Sequence, residues 1–277
     1  MNSRNLSLYL LAATLMAGST GCHRGLRHER RLHRDSASAT VERTWPAAGI
    51  DRVKVLEVDG SVKVQSVDTD EITLVAHARG DLETKAGAEN QGLFETTLAG
   101  GTLRIGRQHE KRAFRIPMLW GRREMRIDYE LRVPRSVSLA LSTVNGRIST
   151  RGNSNGEQQL VTVNGVIDAE TSGNQELSAV TVNGRVRAKF LESFQGAEFR
   201  SVNGGVEALF PPSASFNVEL SQLNGDFEAS FPLSIHSNPG SRRVSGEVNG
   251  GRYDLKITTV NGDIELSKLD PPPPPKL

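Results

Sequence analysis

The stretch STVNGRIST (residues 142–150) recurs as LVTVNGVIDA (160–169), AVTVNGRVRA (179–188), RSVNGGVEA (200–208), SQLNGDFEA (221–229) and TTVNGDIEL (258–266). Its asparagines are Asn145, Asn164, Asn183, Asn203, Asn224 and Asn261, spaced 19, 19, 20, 21 and 37 residues apart. The last interval holds an irregular copy, EVNGG, at Asn249. A period near 20 suits one coil of a solenoid, in which each repeat buries its apolar face only against its neighbours. Asn-Gly is also the strongest short signal for a β-hairpin. The flanking residues decide between the two readings.

With Asn as position 0, position −1 is Val144, Val163, Val182, Val202, Leu223 and Val260. Position +3 is Ile148, Ile167, Val186, Val206, Phe227 and Ile264. A two-residue hairpin would place Val182 beside Arg185 and Leu223 beside Asp226, and would set polar −2 residues such as Thr143 beside the apolar +3 set. That mixes inside and outside in copy after copy. Simple alternation predicts instead that positions −1, +1, +3 and +5 face inward. It makes each Asn-Gly a coil corner, with the glycine (Gly146, Gly165, Gly184, Gly204, Gly225, Gly262) turned toward the core. Parity breaks between −4 and −1, which predicts a second corner there. Stacked coils would align the asparagines in a hydrogen-bonded ladder.

The same template fits VLEVDGSVKV (55–64), with Asp59 at position 0, and TLAGGTLRIG (97–106), with Gly101 at +1. The expected fold is therefore all-β, a single-stranded parallel β-solenoid of about 20-residue coils over residues 48–269. An antiparallel sandwich over 48–135 followed by a solenoid is the alternative. YELRVPRSVSLALSTVNGRIST (129–150) followed by the repeated TVNG pattern resembles a bacterial adhesin-like domain family, a β-solenoid domain of unknown function often found on envelope proteins. The resemblance covers about residues 50–267. It implies surface adhesion and carries over no catalytic residue.

The N-terminus reads as a targeting segment rather than fold. MNSRNLSLYLLAATLMAGSTGC has an early Arg, an apolar run from Leu6 to Ala17 and small residues before Cys22. That is a secretory signal layout, with an apolar run too short for an ordinary membrane span. STGC resembles the bacterial lipoprotein cleavage box, which implies lipidation of Cys22; Ser19 stands where leucine is usual. The competing reading is a signal cut near Cys22 that leaves a free secreted thiol. Cys22 is the sole cysteine, so no internal disulfide forms. The expected organisation is a signal peptide (1–21), a lipid-anchor cysteine with a basic linker (22–47), the solenoid (48–269) and a proline-rich tail (270–277). His23, His28 and His33 lie among arginines that repel a metal cation, so no metal site is assigned to them.

Searching the repeat for chemistry yields no nucleophile elbow and no phosphate loop. Net charge is +2, which gives no reason to expect nucleic-acid binding. Asp226, Glu228, Asp263 and Glu265 form the one enzyme-like pattern, a carboxylate set for a carbohydrate-active solenoid enzyme. Alternation in a repeat generates such pairs without any catalytic purpose, and a calcium role lacks a recognised loop spacing. No catalytic residue, metal or cofactor is expected. EKRAFRIPMLWGRREMRIDYE (110–130) is the most distinctive non-repeat segment. Arg112, Arg115, Arg122 and Arg123 there surround Phe114, Met118, Leu119 and Trp120, a combination suited to an anionic lipid, an envelope glycan or an acidic protein. A loop packing its apolar tip on the solenoid competes with that reading. The sequence thus points to a non-enzymatic, lipid-anchored cell-envelope protein, facing the periplasm or outer membrane, whose solenoid is a binding or structural scaffold. Envelope stress and end-to-end assembly of coils are both compatible.

Overall fold

Short alternating Val, Ile, Leu and Thr runs punctuated by Gly and Asn build strands throughout. The computed structural model describes residues 37–80, 93–106, 125–153, 155–173, 175–231 and 243–269. Cys22 and the segment holding Arg112, Phe114, Arg115, Met118, Leu119, Trp120, Arg122 and Arg123 lie outside the described residues.

Strands β1 (Ala37–Pro46), β2 (Arg52–Leu56), β3 (Val62–Val67), β4 (Glu71–Gly80), β5 (Glu95–Ala99), β6 (Thr102–Gly106) and β7 (Met125–Pro134) precede the repeat. The repeat follows as β8 (Ser138–Asn145), β9 (Ile148–Asn153), β10 (Gln158–Asn164), β11 (Ile167–Thr171), β12 (Leu177–Asn183), β13 (Val186–Phe190), β14 (Ala197–Asn203) and β15 (Val206–Phe210). The remainder is β16 (Phe216–Asn224), β17 (Phe227–Ala229), β18 (Arg243–Val248), β19 (Tyr253–Asn261) and β20 (Ile264–Lys268).

These strands form two ten-stranded sheets. Sheet A runs β1-β4-β7-β3-β9-β11-β13-β15-β20-β17, and sheet B runs β18-β16-β19-β14-β12-β10-β8-β2-β6-β5. Each coil gives one strand to sheet B, turns at its Asn-Gly, and gives the next strand to sheet A. Equivalent residues pair in parallel, as in Leu160 with Ala179 and Ile167 with Val186. Between the sheets lies one apolar core that includes Leu141, Leu160, Phe199, Ile167, Val186 and Ile264. Burying each aliphatic side chain contributes about 1.5–3 kcal/mol.

Several expectations change. Position −1 is not in the core: Val58, Val202 and Leu223 are 39%, 40% and 51% exposed. The buried residue is the polar one at −2, namely Thr143, Thr162, Thr181, Ser201 or Thr259. Alternation continues unbroken through Leu139, Leu141 and Thr143, so no corner separates −4 from −1. Parity switches at the Asn-Gly itself, because the inward Ile148 follows the inward Thr143 by five positions, an odd number.

The 97–106 stretch is an antiparallel hairpin in which Ala99 pairs with Thr102. Gly100 and Gly101 form its tip at φ 55° and 69°, the left-handed pair that a tight hairpin demands. Strand β1 occupies residues read as the end of the linker and pairs antiparallel with β4. Its Arg43 reaches across to sheet B, donating to Thr96 Oγ1 at 2.7 Å and lying over the Phe94 ring. Residues 52–67 and 125–134 therefore extend the repeat's own two sheets, with antiparallel strands added at the edges. Nor do the coils stack in chain order, since β19 and β20 insert between β14–β15 and β16–β17.

The corner glycines serve close approach between coils rather than bending toward the core. A β-carbon on Gly165 would sit 1.8 Å from the Gly146 carbonyl oxygen, and one on Gly184 would sit 1.8 Å from that of Gly165. Gly165→Ala should therefore force the stack apart and cost about 3 kcal/mol or more, lowering Tm by roughly 10 °C. Gly49→Ala, where φ is +79° but space is open, should lose only about 1–2 kcal/mol. Thermal unfolding of both variants checks the ranking.

Candidate functional site

Three columns meet at the corner. The first is the side-chain ladder. Asn145 Nδ2 donates to Asp59 Oδ1 at 2.7 Å, Asn164 to Asn145 at 2.9 Å, and Asn183 to Asn164 at 2.8 Å. Asn203 then donates to Asn183, Asn261 to Asn203 and Asn224 to Asn261, at 2.9, 2.9 and 2.8 Å. All amides point the same way, so their bonds polarise one another. The donor end meets the Asp59 carboxylate, and charge assistance strengthens that terminal bond.

The second column is the buried hydroxyl set. Thr143, Thr162 and Thr181 donate through Oγ1 to the carbonyls of Gly60, Gly146 and Gly165 at 3.0, 3.1 and 3.2 Å. Gln222 Nε2 performs the same task on Gly262 at 2.9 Å. A corner carbonyl inside the stack needs a donor, and leaving it unsatisfied would cost about 1–3 kcal/mol. That is why threonine, not valine, turns inward.

The third column is the glycines, which end against strand β7. A β-carbon on Gly60 would lie 1.8 Å from the Ile127 carbonyl oxygen. Ser61 N donates to Asp128 Oδ1 at 2.8 Å, and Arg126 pairs with the same carboxylate at 3.0 Å. Burial works to raise the Asp128 carboxyl, but Arg126 and the Ser61 N–H outweigh it and hold it below the usual carboxylate range.

Outside the corner the two sheets differ. Sheet A presents Lys63, Ser149, Asp168, Arg187, Glu207, Glu265 and Glu228 in spatial order. Arg147 pairs with Asp168 and Arg187 with Glu207, each at 3.0 Å and solvent-exposed, so each is worth about 0–1 kcal/mol. Glu228 and Glu265 are exposed in that column, with Asp226 and Asp263 at the adjoining corners. They stand on a sheet face, not in a groove, which disfavours paired-carboxylate catalysis. Among the described residues, no group of three or more His, Cys, Asp or Glu is arranged to hold a metal.

Sheet B presents the aliphatic −1 column, Val58, Val144, Val163, Val182, Val202, Val260 and Leu223. At its Asp59 end lies a cavity of about 340 Å³ lined by Leu56, Glu57, Val58, Glu95, Thr97, Arg104, Ile105 and Gly106. Sequence reasoning placed these valines in the core. The missed signal was the threonine at −2, whose hydroxyl marks the inward side.

Two sheets wound coil by coil around one core define a β-solenoid-like class of domain. Residues 36–267 match the family described as Toastrack DUF4097, and the chain belongs to that family. No curated protein matches. Among solved structures, a candidate cell adhesion protein from Clostridium sporogenes is 10% identical with a TM-score of 0.42, covering 84% of this chain and 100% of its own. A candidate adhesin from Bacteroides fragilis is 11% identical with a TM-score of 0.37, covering 83% and 97%. A candidate lipid binding protein from Parabacteroides distasonis is 13% identical with a TM-score of 0.29, covering 83% and 97%. At these identities the likeness carries nothing about ligand or partner.

A depressed carboxyl contributes stability above its unfolded pKa and loses it as pH falls through the folded value. Asp128→Asn should therefore be less stable than wild type at pH 7. The gap should narrow as pH drops below about 4, the unfolded aspartate value. Denaturant unfolding at stepped pH measures it.

Proposed function

We propose that this chain is a non-enzymatic, lipid-anchored protein of the bacterial cell envelope, and that its Toastrack domain is an adhesin-like binding or structural scaffold. The observation that carries the reading is the unbroken ladder from Asp59 to Asn224. It fixes seven coils in one register and spends the repeat's most regular residues on rigidity. Such a stack presents fixed outer columns of side chains, which suits recognition or structural support better than chemistry. The sequence before β1 supports the anchor: a signal-type segment, Cys22 in a lipoprotein-like box, and a basic tether. Lipid chains hold through about 0.8 kcal/mol per buried methylene. A role in envelope stress fits the same placement.

Metabolic labelling with a fatty acid should mark the wild-type chain and not Cys22→Ser; label retained on the serine variant would remove the anchor. Protease added to intact cells separates the sides, since cleavage accords with outward adhesion and protection with a periplasm-facing scaffold.

The partner contact is assigned to the basic, aromatic segment around Trp120. Replacing Arg112, Arg115, Arg122 and Arg123 with Ser should weaken co-sedimentation with anionic vesicles or envelope fragments at least tenfold. Binding that stays unchanged would eliminate this segment as the contact.

A further inference from the structure

The aliphatic column on sheet B has no role in the core, yet it recurs in all seven coils. Strand preference alone does not account for it. On sheet A the same chain fills its outward column with Lys63, Ser149, Asp168, Arg187, Glu207, Glu265 and Glu228, which leave a solvated face. On sheet B, Val58, Val144, Val163, Val182, Val202, Val260 and Leu223 stand in line, with Leu56, Val161 and Val180 beside them one column over. Leu56, Val58, Val202 and Leu223 are 48%, 39%, 40% and 51% exposed. Neighbouring strands are about 4.8 Å apart, so the stripe runs roughly 29 Å.

We infer that this face binds a second copy of the chain, sheet B against sheet B, about a twofold axis parallel to the strands. Three observations select that partner. The first is spacing. A column repeating at the interstrand distance meets another of the same repeat residue for residue, and a second copy supplies one in register.

The second is area. Seven coils, measured from the Arg52 column to the corner, cover roughly 29 by 24 Å, about 700 Å², within the roughly 600–1,000 Å² per partner of a standard interface. The stripe is its apolar part, running along the corner edge, and the columns toward Arg52 are its polar part.

The third is charge. This axis keeps each column opposite itself and reverses the order of the coils. The first coil then faces the seventh, the second faces the sixth, and the fourth faces its own copy. Lys54 comes opposite Glu219, which also lies 3.9 Å from Lys256 within one molecule. The rim charges accordingly set the alignment more than the affinity.

The test uses the full-length chain in its membrane and thiol crosslinking with a short bis-maleimide. Opposed sheets about 10 Å apart hold facing β-carbons beyond disulfide reach. Val182→Cys, on the axis, should give a dimer well above the unsubstituted chain, which controls for Cys22. Arg187→Cys, on the opposite face of the same coil, should not. Val58→Cys mixed with Leu223→Cys should crosslink at least tenfold more than either alone. Adding Val182→Lys to that mixture should abolish the product while thermal unfolding stays within a few degrees. Equal product from Arg187→Cys and Val182→Cys, no product at Val182→Cys, or a mixed crosslink indifferent to Val182→Lys would each overturn the assignment.

Discussion

One close approach governs this molecule. At six of the seven described corners a glycine lies against the carbonyl oxygen of the neighbouring corner glycine, and Gly60 lies against that of Ile127, at distances no β-carbon could share. That contact lets successive coils sit at the interstrand spacing of about 4.8 Å even where the chain turns. The threonine hydroxyl then satisfies the enclosed carbonyl, and the asparagine amide ties the outside of the same turn. Glycine, threonine and asparagine are three answers to one problem, that of a polar backbone corner stacked on its own copy.

The corner also assigns the two faces. Because the inward threonine and the next inward aliphatic residue are an odd number of positions apart, the chain exchanges its inside and outside there. Valine at −1 is thereby placed outside. This leaves sheet A with a largely charged outer column and sheet B with an aliphatic one beside the corner. An otherwise uniform repeat thus acquires two unlike sides.

The two ends show how a parallel stack is closed. Strands β1, β4 and β5 add antiparallel partners at one end, and Arg43 bridges the sheets there. At the other end β18 pairs antiparallel with β16. The β19–β20 coil enters between two earlier coils, so the ladder passes from Asn203 to Asn261 before Asn224. Equivalent corners are interchangeable by construction, which permits the insertion.

Much of this was legible in the sequence because the corner repeats. The period gave the coil, the +3 residues Ile148, Ile167 and Val186 gave the core, and Asn145 to Asn261 gave the ladder. Asp59 took position 0 of the same template because Val62 and Val64 fall at +3 and +5. What misled was polarity: Val144 reads as core and Thr143 as surface when hydrophobicity is the sole guide. Only the stacked coils reveal the carbonyl that Thr143 serves, and that partner comes from Gly60, 83 residues away. The Gly100-Gly101 hairpin and the order of the last coils were likewise beyond the repeat, since each depends on which strand edge is available. The sequence by itself determined the coil, its corner and the composition of its columns, because these follow from local spacing. Which side of each strand meets solvent, and which coil lies on which, was decided by the tertiary structure, because those outcomes depend on hydrogen bonds between residues far apart in the chain.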